Sequence, residues 1–424
     1  MRPLKVLYVD GVGPFGGASR SLFEAVNALP VSTVDAHFLV AEGTAADFYR
    51  KVAKDMVTMR GLARFDNTEY SHYRGLRWLV LLREISHIPS TVLSLLKARR
   101  RWPEVDLIHV NEITEILPGL LAKRLFGVPL VIHVRSPQRV DGRSWRTRWI
   151  NAVLKREAAA VIAINENTRA TLPADLVVDV IQNSFTSKAA PQPDPVMLAQ
   201  LDVLRPGALK VGFIGNLHHG KGLFDLLEAT KLVRASGRDI EVVVAGGVAR
   251  ADRGLKAWLL AKSGLAQDVH AQLVEQIKSN GLEHSFHLVG ATTDIQRVYE
   301  RLDVLCFPSH YDAPGRPVFE AAFSAVPCIV SVRSPRADTL VHGQTGLAIP
   351  ARDPAALAHA ISHFADDRGE VRRMGAHAKA LAERNFVPAI NAQRLLALYR
   401  RVVGESRTRA APVASRNSVD HPSS

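Results

Sequence analysis

Two acidic residues eight positions apart, Asp312 and Glu320, stand in the segment Pro308-Ser-His-Tyr-Asp312-Ala-Pro-Gly315-Arg316-Pro-Val318-Phe-Glu320-Ala-Ala. The segment follows the apolar run Val304–Phe307 and opens a helical pattern near Val318. A carboxylate accepts two hydroxyl hydrogen bonds at once, which suits the diol of a ribose or hexose. Gly315 lets backbone approach a ligand closely, and the free amides of a helix start bind phosphate. Taken alone, Glu320 equally fits an ordinary first-turn acid favoured by the helix dipole.

Two further glycine loops offer anion chemistry. Gly215-Asn-Leu-His-His-Gly220-Lys221 has the spacing of a nucleotide-binding P-loop, but Gly222 stands where that loop needs Ser or Thr to hold magnesium. What remains is a lysine beside the start of a helical pattern, Leu223–Lys231, a setting that favours an anion. Gly11-Val-Gly13-Pro-Phe-Gly16 follows a strand and fits the dinucleotide fingerprint, with Glu42 after the next strand as the ribose-binding acid. Pro14 removes one amide donor from that loop. A nicotinamide or flavin site, a plain tight turn and a phosphate-facing loop of another kind all fit it.

These loops need strands before them and helices after them. Short apolar runs at Lys5–Val9, His37–Val40, Asp106–Val110, Val128–Val134, Ala160–Ile164 and Val177–Ile181 alternate with helical stretches. Four prolines between Pro191 and Pro206 then mark a linker, and a second series opens at Leu209–Gly215. It continues through Glu241–Ala245, Ser285–Val289, Val304–Phe307, Cys328–Ser331 and Leu347–Ile349. Such alternation predicts parallel α/β layers, twice over. The expected domains are 1–185, a linker 186–207, a second domain 208–380, a helix 381–404 returning to the first domain, and a disordered tail 405–424.

Composition narrows the classes. The 424 residues carry 54 Lys+Arg against 41 Asp+Glu, a net charge of +13, which favours acidic partners. Two cysteines, Cys306 and Cys328, sit in apolar runs and exclude a disulfide scaffold or a four-cysteine zinc site. The sequence shows no run long and apolar enough to span a membrane and no signal-peptide core, so a cytoplasmic place is expected. Residues 72–102 hold Arg74, Arg77, Arg83, Lys97, Arg99, Arg100 and Arg101 against Glu84, interleaved with apolar residues at helical spacing around Pro89. That belt fits a peripheral contact with an anionic membrane surface, and equally core helices with a solvated basic edge. Nucleic acid ranks low, since no recognised binding motif accompanies the charge.

At the Asp312–Glu320 loop the sequence resembles the retaining family-four glycosyltransferases of the GT-B superfamily. Their Glu-x7-Glu element reads here as Asp312-x7-Glu320, flanked by Pro308-Ser309 and Ala321. Gly215…Lys221-Gly222, Phe286…Gly290, Asp303-Val-Leu and Asp338…Gly343-Gln-Thr-Gly346 resemble further family elements, as do Gly16-Gly17-Ala and Asp106…His109 in the first half. The match runs over roughly residues 4–400 in the family's order.

The resemblance implies two Rossmann-like domains facing across a cleft, and a nucleotide-diphospho-sugar donor, UDP- or GDP-linked, with no cofactor and no metal. It implies transfer of the sugar, with retention, to a glycan or lipid-linked acceptor in polysaccharide or glycoconjugate assembly. By position, Glu320 would hold the ribose and Asp312 and His133 the donor sugar. Lys221 and the main chain at Gly16, Gly17, Gly315 and Val318 would hold the diphosphate, and the main chain at Val289 the base. Two departures matter. Asp312 replaces the usual first Glu. Asn216 replaces a diphosphate-binding Arg, and Arg316 is expected to restore that charge. A third feature is the segment 248–273, expected to be a helical insertion. An epimerase or phosphorylase on the same architecture and a non-catalytic sugar-nucleotide-binding protein are the alternatives.

Overall fold

The computed structural model describes residues 2–69, 79–187, 192, 194–247 and 269–410. It divides into two compact units. The first holds the described residues up to Ile164, Leu172–Ile181 and those from Ala392 onward. The second holds Asn165–Thr171 and the described residues of Gln182–Asn391.

The first unit is built on seven strands: β1 (Leu4–Asp10), β2 (Val34–Ala41), β3 (Asp55–Met59), β4 (Leu107–Val110), β5 (Leu130–Val134), β6 (Ala160–Ala163) and β7 (Asp179–Val180). Their order is β3-β2-β1-β4-β5-β6-β7, every pairing parallel. Alternate side chains of a strand face opposite layers. Leu7 and Val9 join one apolar cluster and Val6 and Tyr8 the other, which is why β1 reads as a continuous apolar run. β3, Asp-Met-Val-Thr-Met, has too little apolar continuity to be found from sequence.

The second unit has six strands: β8 (Leu209–Ile214), β9 (Ile240–Ala245), β10 (Phe286–Gly290), β11 (Val304–Phe307), β12 (Cys328–Ser331) and β13 (Gly346–Ile349). Their order is β10-β9-β8-β11-β12-β13, again all parallel. Both units are doubly wound α/β layers, as the alternation of apolar runs predicts.

The boundaries differ from the sequence expectation in four places. Within the expected linker, Pro195–Asp202 is a helix, capped by the Asp194 carboxylate on the amides of Val196 and Met197. It buries Met197 and Leu201 in the second unit. The prolines that suggest a linker include one at the helix start, where proline is favoured. Residues 165–171 leave the first unit because Asp338 accepts the Glu166 amide at 3.0 Å and Ser334 the Asn167 side chain at 3.0 Å. The expected 381–404 helix is two helices, Arg368–Asn385 and Pro388–Ala410, so residues 405–410 are helical. Leu395, Leu398, Tyr399, Val402 and Val403 of the latter lie in the cluster that contains Val6 and Tyr8. The tail expected to be disordered, from 411 on, residues 72–78 of the basic belt and 248–268 of the expected insertion lie outside the described residues; residues 269–273 of that segment belong to the helix Val269–Ser279.

Candidate functional site

In the second unit β8 pairs with β9 on one side and β11 on the other. The chain winds away from this point in both directions, and ligands of open α/β sheets bind at the carboxyl ends of such strands. Two loops meet there. The loop after β8 ends at Gly222, and the loop after β11 runs from Pro308 to Gly315. The His310 amide donates to Gly220 O at 2.9 Å, and His310 Nε2 lies 2.8 Å from Asp225 Oδ2. Gly222 has φ +73°, and a Cβ on it would come 1.9 Å from Pro308 O. Alanine there faces roughly 1–2 kcal/mol of backbone strain plus that overlap. Gly222→Ala is therefore expected to lower the urea midpoint clearly; a variant that unfolds at the wild-type midpoint would contradict this loop packing.

Lys221 stands at this junction. Its Nζ lies 5.4 Å from the ring centroids of both Phe307 and Tyr311. It is half-buried, burial depresses its pKa, and no ion pair or side-chain hydrogen bond holds it among the described residues. Gly315 caps the helix Arg316–Phe323. A Cβ on Gly315 would meet Phe307 Cζ at 2.4 Å, so the same ring adjoins both the lysine and the helix start. A partly desolvated ammonium next to the residue that caps the helix Leu223–Ala235 is a setting that favours an anion.

The neighbouring acids are held differently. Glu320 is buried, receiving Tyr299 OH at 2.9 Å and Arg316 Nε at 2.9 Å. Arg316, expected to restore charge for the phosphate, is thus neutralised by the carboxylate one turn along its own helix, and its Nη2 reaches Ser184 O at 3.3 Å. Asp312 accepts the Arg333 amide at 2.8 Å and Arg333 Nε at 2.7 Å. Asn216 is exposed, and the Val289 and Val318 side chains are buried, leaving only main chain at those two positions to meet a ligand. Phe307, Tyr311, Tyr299 and Arg333 escape sequence reading. Each acts through space on a residue of another element, and no spacing signals that.

The first unit gathers its polar residues at the ends of β1 and β4, its own switch point. Gly16 and Gly17 start the helix Gly17–Asn27 and are exposed. Gly13 and Gly43 press backbone to backbone, a Cβ on Gly13 falling 2.5 Å from Glu42 O. Close loop packing thus accounts for Gly13 in the fingerprint-like loop. Asp10, fully buried, accepts Ser19 OH at 2.9 Å and also Tyr49 OH, and Glu115 accepts the Gly11 amide. His133 is 4% exposed, neither ring nitrogen has a hydrogen-bond partner among the described residues, and its ring lies 5.4 Å from that of His109. Burial, with Arg135 nearby, holds its pKa well below the usual range, so it is a neutral imidazole.

Glu112 accepts the amides of Ile113 (2.8 Å) and Arg135 (3.3 Å) and the Ser136 hydroxyl (2.9 Å). Burial pushes its pKa from 4.5 up to about 7. The folded state therefore keeps a proton that the unfolded state releases between those values. Stability falls as pH rises through this window, by about 3 kcal/mol for this group. Glu112→Gln is expected to flatten that limb in urea titrations at pH 5 and pH 8; an unchanged slope would show that the carboxyl ionises freely.

Residues 16–183 match the glycosyl transferase 4-like domain, and residues 203–381 match the glycosyl transferases group 1 model. The chain belongs to the GT-B glycosyltransferases of the family-four type. This glycosyltransferase is 27% identical over 344 residues to the 2-deoxystreptamine glucosyltransferase of Streptomyces kanamyceticus, covering 76% of this chain and 83% of that one. It is 25% identical over 293 residues to the lipopolysaccharide core biosynthesis mannosyltransferase LpsB of Rhizobium meliloti, covering 69% and 78%. Its fold matches Anabaena HepE in complex with UDP, with a TM-score of 0.71 at 20% identity over 94% of this chain and 100% of that one. Among the described residues no group of three or more His, Cys, Asp or Glu is placed to hold a metal ion, and no helix is long and apolar enough to cross a membrane.

Proposed function

We propose that this glycosyltransferase moves a sugar from a UDP- or GDP-linked donor to a glycan or lipid-linked acceptor, with retention and without a metal. The observation that carries this reading is Lys221, an ammonium with no ion pair among the described residues, at the β8/β11 switch point against the Phe307 ring on which the start of the helix Arg316–Phe323 also packs. Departure of a nucleoside diphosphate builds negative charge, and preorganised cations and amides stabilise it. Lys221 and the Gly315 end of the helix take that role. Asn216 contributes an amide donor in place of a guanidinium. Glu320 offers its remaining lone pairs to the ribose hydroxyls, fixed in place by Tyr299 and Arg316. Asp312, held by Arg333, accepts a hydroxyl of the sugar. The leaving phosphate oxygen takes the acceptor's proton as the new bond forms on the same face.

Relatives support the chemistry. HepE has been crystallised with UDP-glucose, and LpsB is named for mannosyl transfer in lipopolysaccharide core assembly. An acceptor of that kind suits a cytoplasmic enzyme working against an anionic membrane surface. The test is a thermal-shift series with UDP, GDP, ADP, CDP and NAD, with and without EDTA. A ligand at a hundred times its Kd stabilises the native state by about 2.7 kcal/mol. One nucleoside diphosphate is expected to raise the midpoint equally in EDTA. A shift with NAD alone, or none with any nucleoside diphosphate, would overturn the reading. The anomeric configuration of the product, read by NMR, tests retention.

A further inference from the structure

Six of the sixteen exposed large apolar side chains among the described residues fall between Leu82 and Leu96. Leu82 (62% exposed) and Ile85 lie on the helix Leu79–Ser86, and Ile88, Val92, Leu93 (67%) and Leu96 on the helix Ile88–Arg101. Within the second helix the spacing of four residues lines Ile88, Val92 and Leu96 along one face. Ile88 is also the edge of a groove of about 360 Å³ among the helices Ile88–Arg101, Ile116–Phe126 and Trp145–Glu157. Leu117, Leu121, Trp149 and Val153 form its apolar walls.

Cations outnumber acids around this apolar face, Glu157 being the one acid among the residues that line the groove. Arg124 and Arg156 line the groove, and Lys97 and Arg100 flank Leu93 and Leu96 in a second depression. None of these four cations has an ion pair or side-chain hydrogen bond among the described residues. The nearby acids are already matched, Glu84 by Arg83 at 2.6 Å and Glu157 by Lys123 at 2.9 Å. Monomeric proteins seldom leave so concentrated an apolar surface to water. Apolar residues ringed by unpaired cations complement one kind of partner, an anionic amphiphile whose headgroups meet the cations and whose hydrocarbon meets the leucines.

We propose that this face docks on an anionic lipid bilayer, with the hydrocarbon chain of one lipid entering the groove beside Trp149. The inference deepens the membrane side of the proposed function and does not depend on donor binding. The test is flotation of the full chain with phosphatidylcholine vesicles, with and without phosphatidylglycerol, at low and high salt. Binding is expected only with phosphatidylglycerol and is expected to weaken as salt rises. Leu93→Glu with Leu96→Glu, and Lys97→Glu with Arg100→Glu, are each expected to weaken it at least tenfold. All four side chains are exposed, so the nucleoside-diphosphate thermal shift should survive in both variants and reports a folded protein. Phospholipid brominated along its acyl chains should quench tryptophan emission, and Trp149→Phe should remove much of that quenching. Absence of anionic vesicle binding at low salt would overturn the proposal, as would binding indifferent to both double variants. Quenching unchanged in Trp149→Phe would overturn the groove as the hydrocarbon's seat. Full displacement by soluble glycerol phosphate would show a headgroup-only site and overturn it equally.

Discussion

Lys221→Met should lower turnover by roughly 10²–10³-fold, the loss typical of removing one preorganised group from a developing anion. Methionine keeps the length and the apolar stem between Phe307 and Tyr311, so the loops have no packing reason to move. What disappears is an ammonium that, among the described residues, no carboxylate opposes. The neighbouring guanidinium does not replace it, because Arg316 is bound to Glu320. The expected signature is a large fall in kcat together with loss of the nucleoside-diphosphate thermal shift. A pH profile adds a second check. Burial lowers the pKa of Lys221, so donor binding should fall on the alkaline side at a lower pH than an exposed lysine would allow. Turnover within a few-fold of wild type in Lys221→Met would remove this residue from the leaving-group site.

Glu320→Ala is the change with the largest expected cost in stability. The Arg316 and Glu320 side chains are 12% and 4% exposed, so deleting the carboxylate strands a guanidinium away from water. Breaking such a pair from one side costs about 3–5 kcal/mol. Tyr299 loses its acceptor at the same time. Glu320→Gln separates fold from binding, since it keeps the volume and an acceptor for Tyr299 OH while removing the charge. It should unfold closer to wild type than the alanine variant and still bind donor poorly, with KM raised more than kcat is lowered. Urea unfolding of both variants decides the first part. An alanine variant as stable as wild type would show that the pair opens to solvent.

The apolar runs of both sheets were readable because a parallel strand covered on both faces must be apolar throughout. β8, β9, β11 and β12 are of that kind. β3 was hidden by its Asp, Thr and two Met. Asp312, Lys221, Gly315 and Glu320 stand out because each lies in, or in the helix just after, a loop whose spacing has a chemical reason. The partners that decide what those residues can do were not legible. Tyr299 reaches Glu320 from the short helix Ile295–Tyr299, and Arg333 reaches Asp312 from beyond β12. Tertiary packing makes these pairs, and neither residue belongs to a periodic pattern. The same holds for Asn165–Thr171, which local pattern assigns to the first unit and two long-range hydrogen bonds assign to the second.

The last described helix carries a consequence for biosynthesis. Tyr399 is fully buried, its hydroxyl 3.3 Å from that of Tyr8, and it belongs with Leu395, Leu398, Val402 and Val403 to the first unit's core. A chain emerging from the ribosome makes Tyr8 long before Tyr399. The second unit, encoded almost wholly between them, has all its strands before that helix exists. Domains fold as units during synthesis, ordinarily from the N-terminus. Here the unit whose strands are made earlier closes its core later than the second. Arrested nascent chains ending before Ala392 should resist protease in the second unit and be cut in the first. Emergence of the helix Pro388–Ala410 then completes the first unit's core.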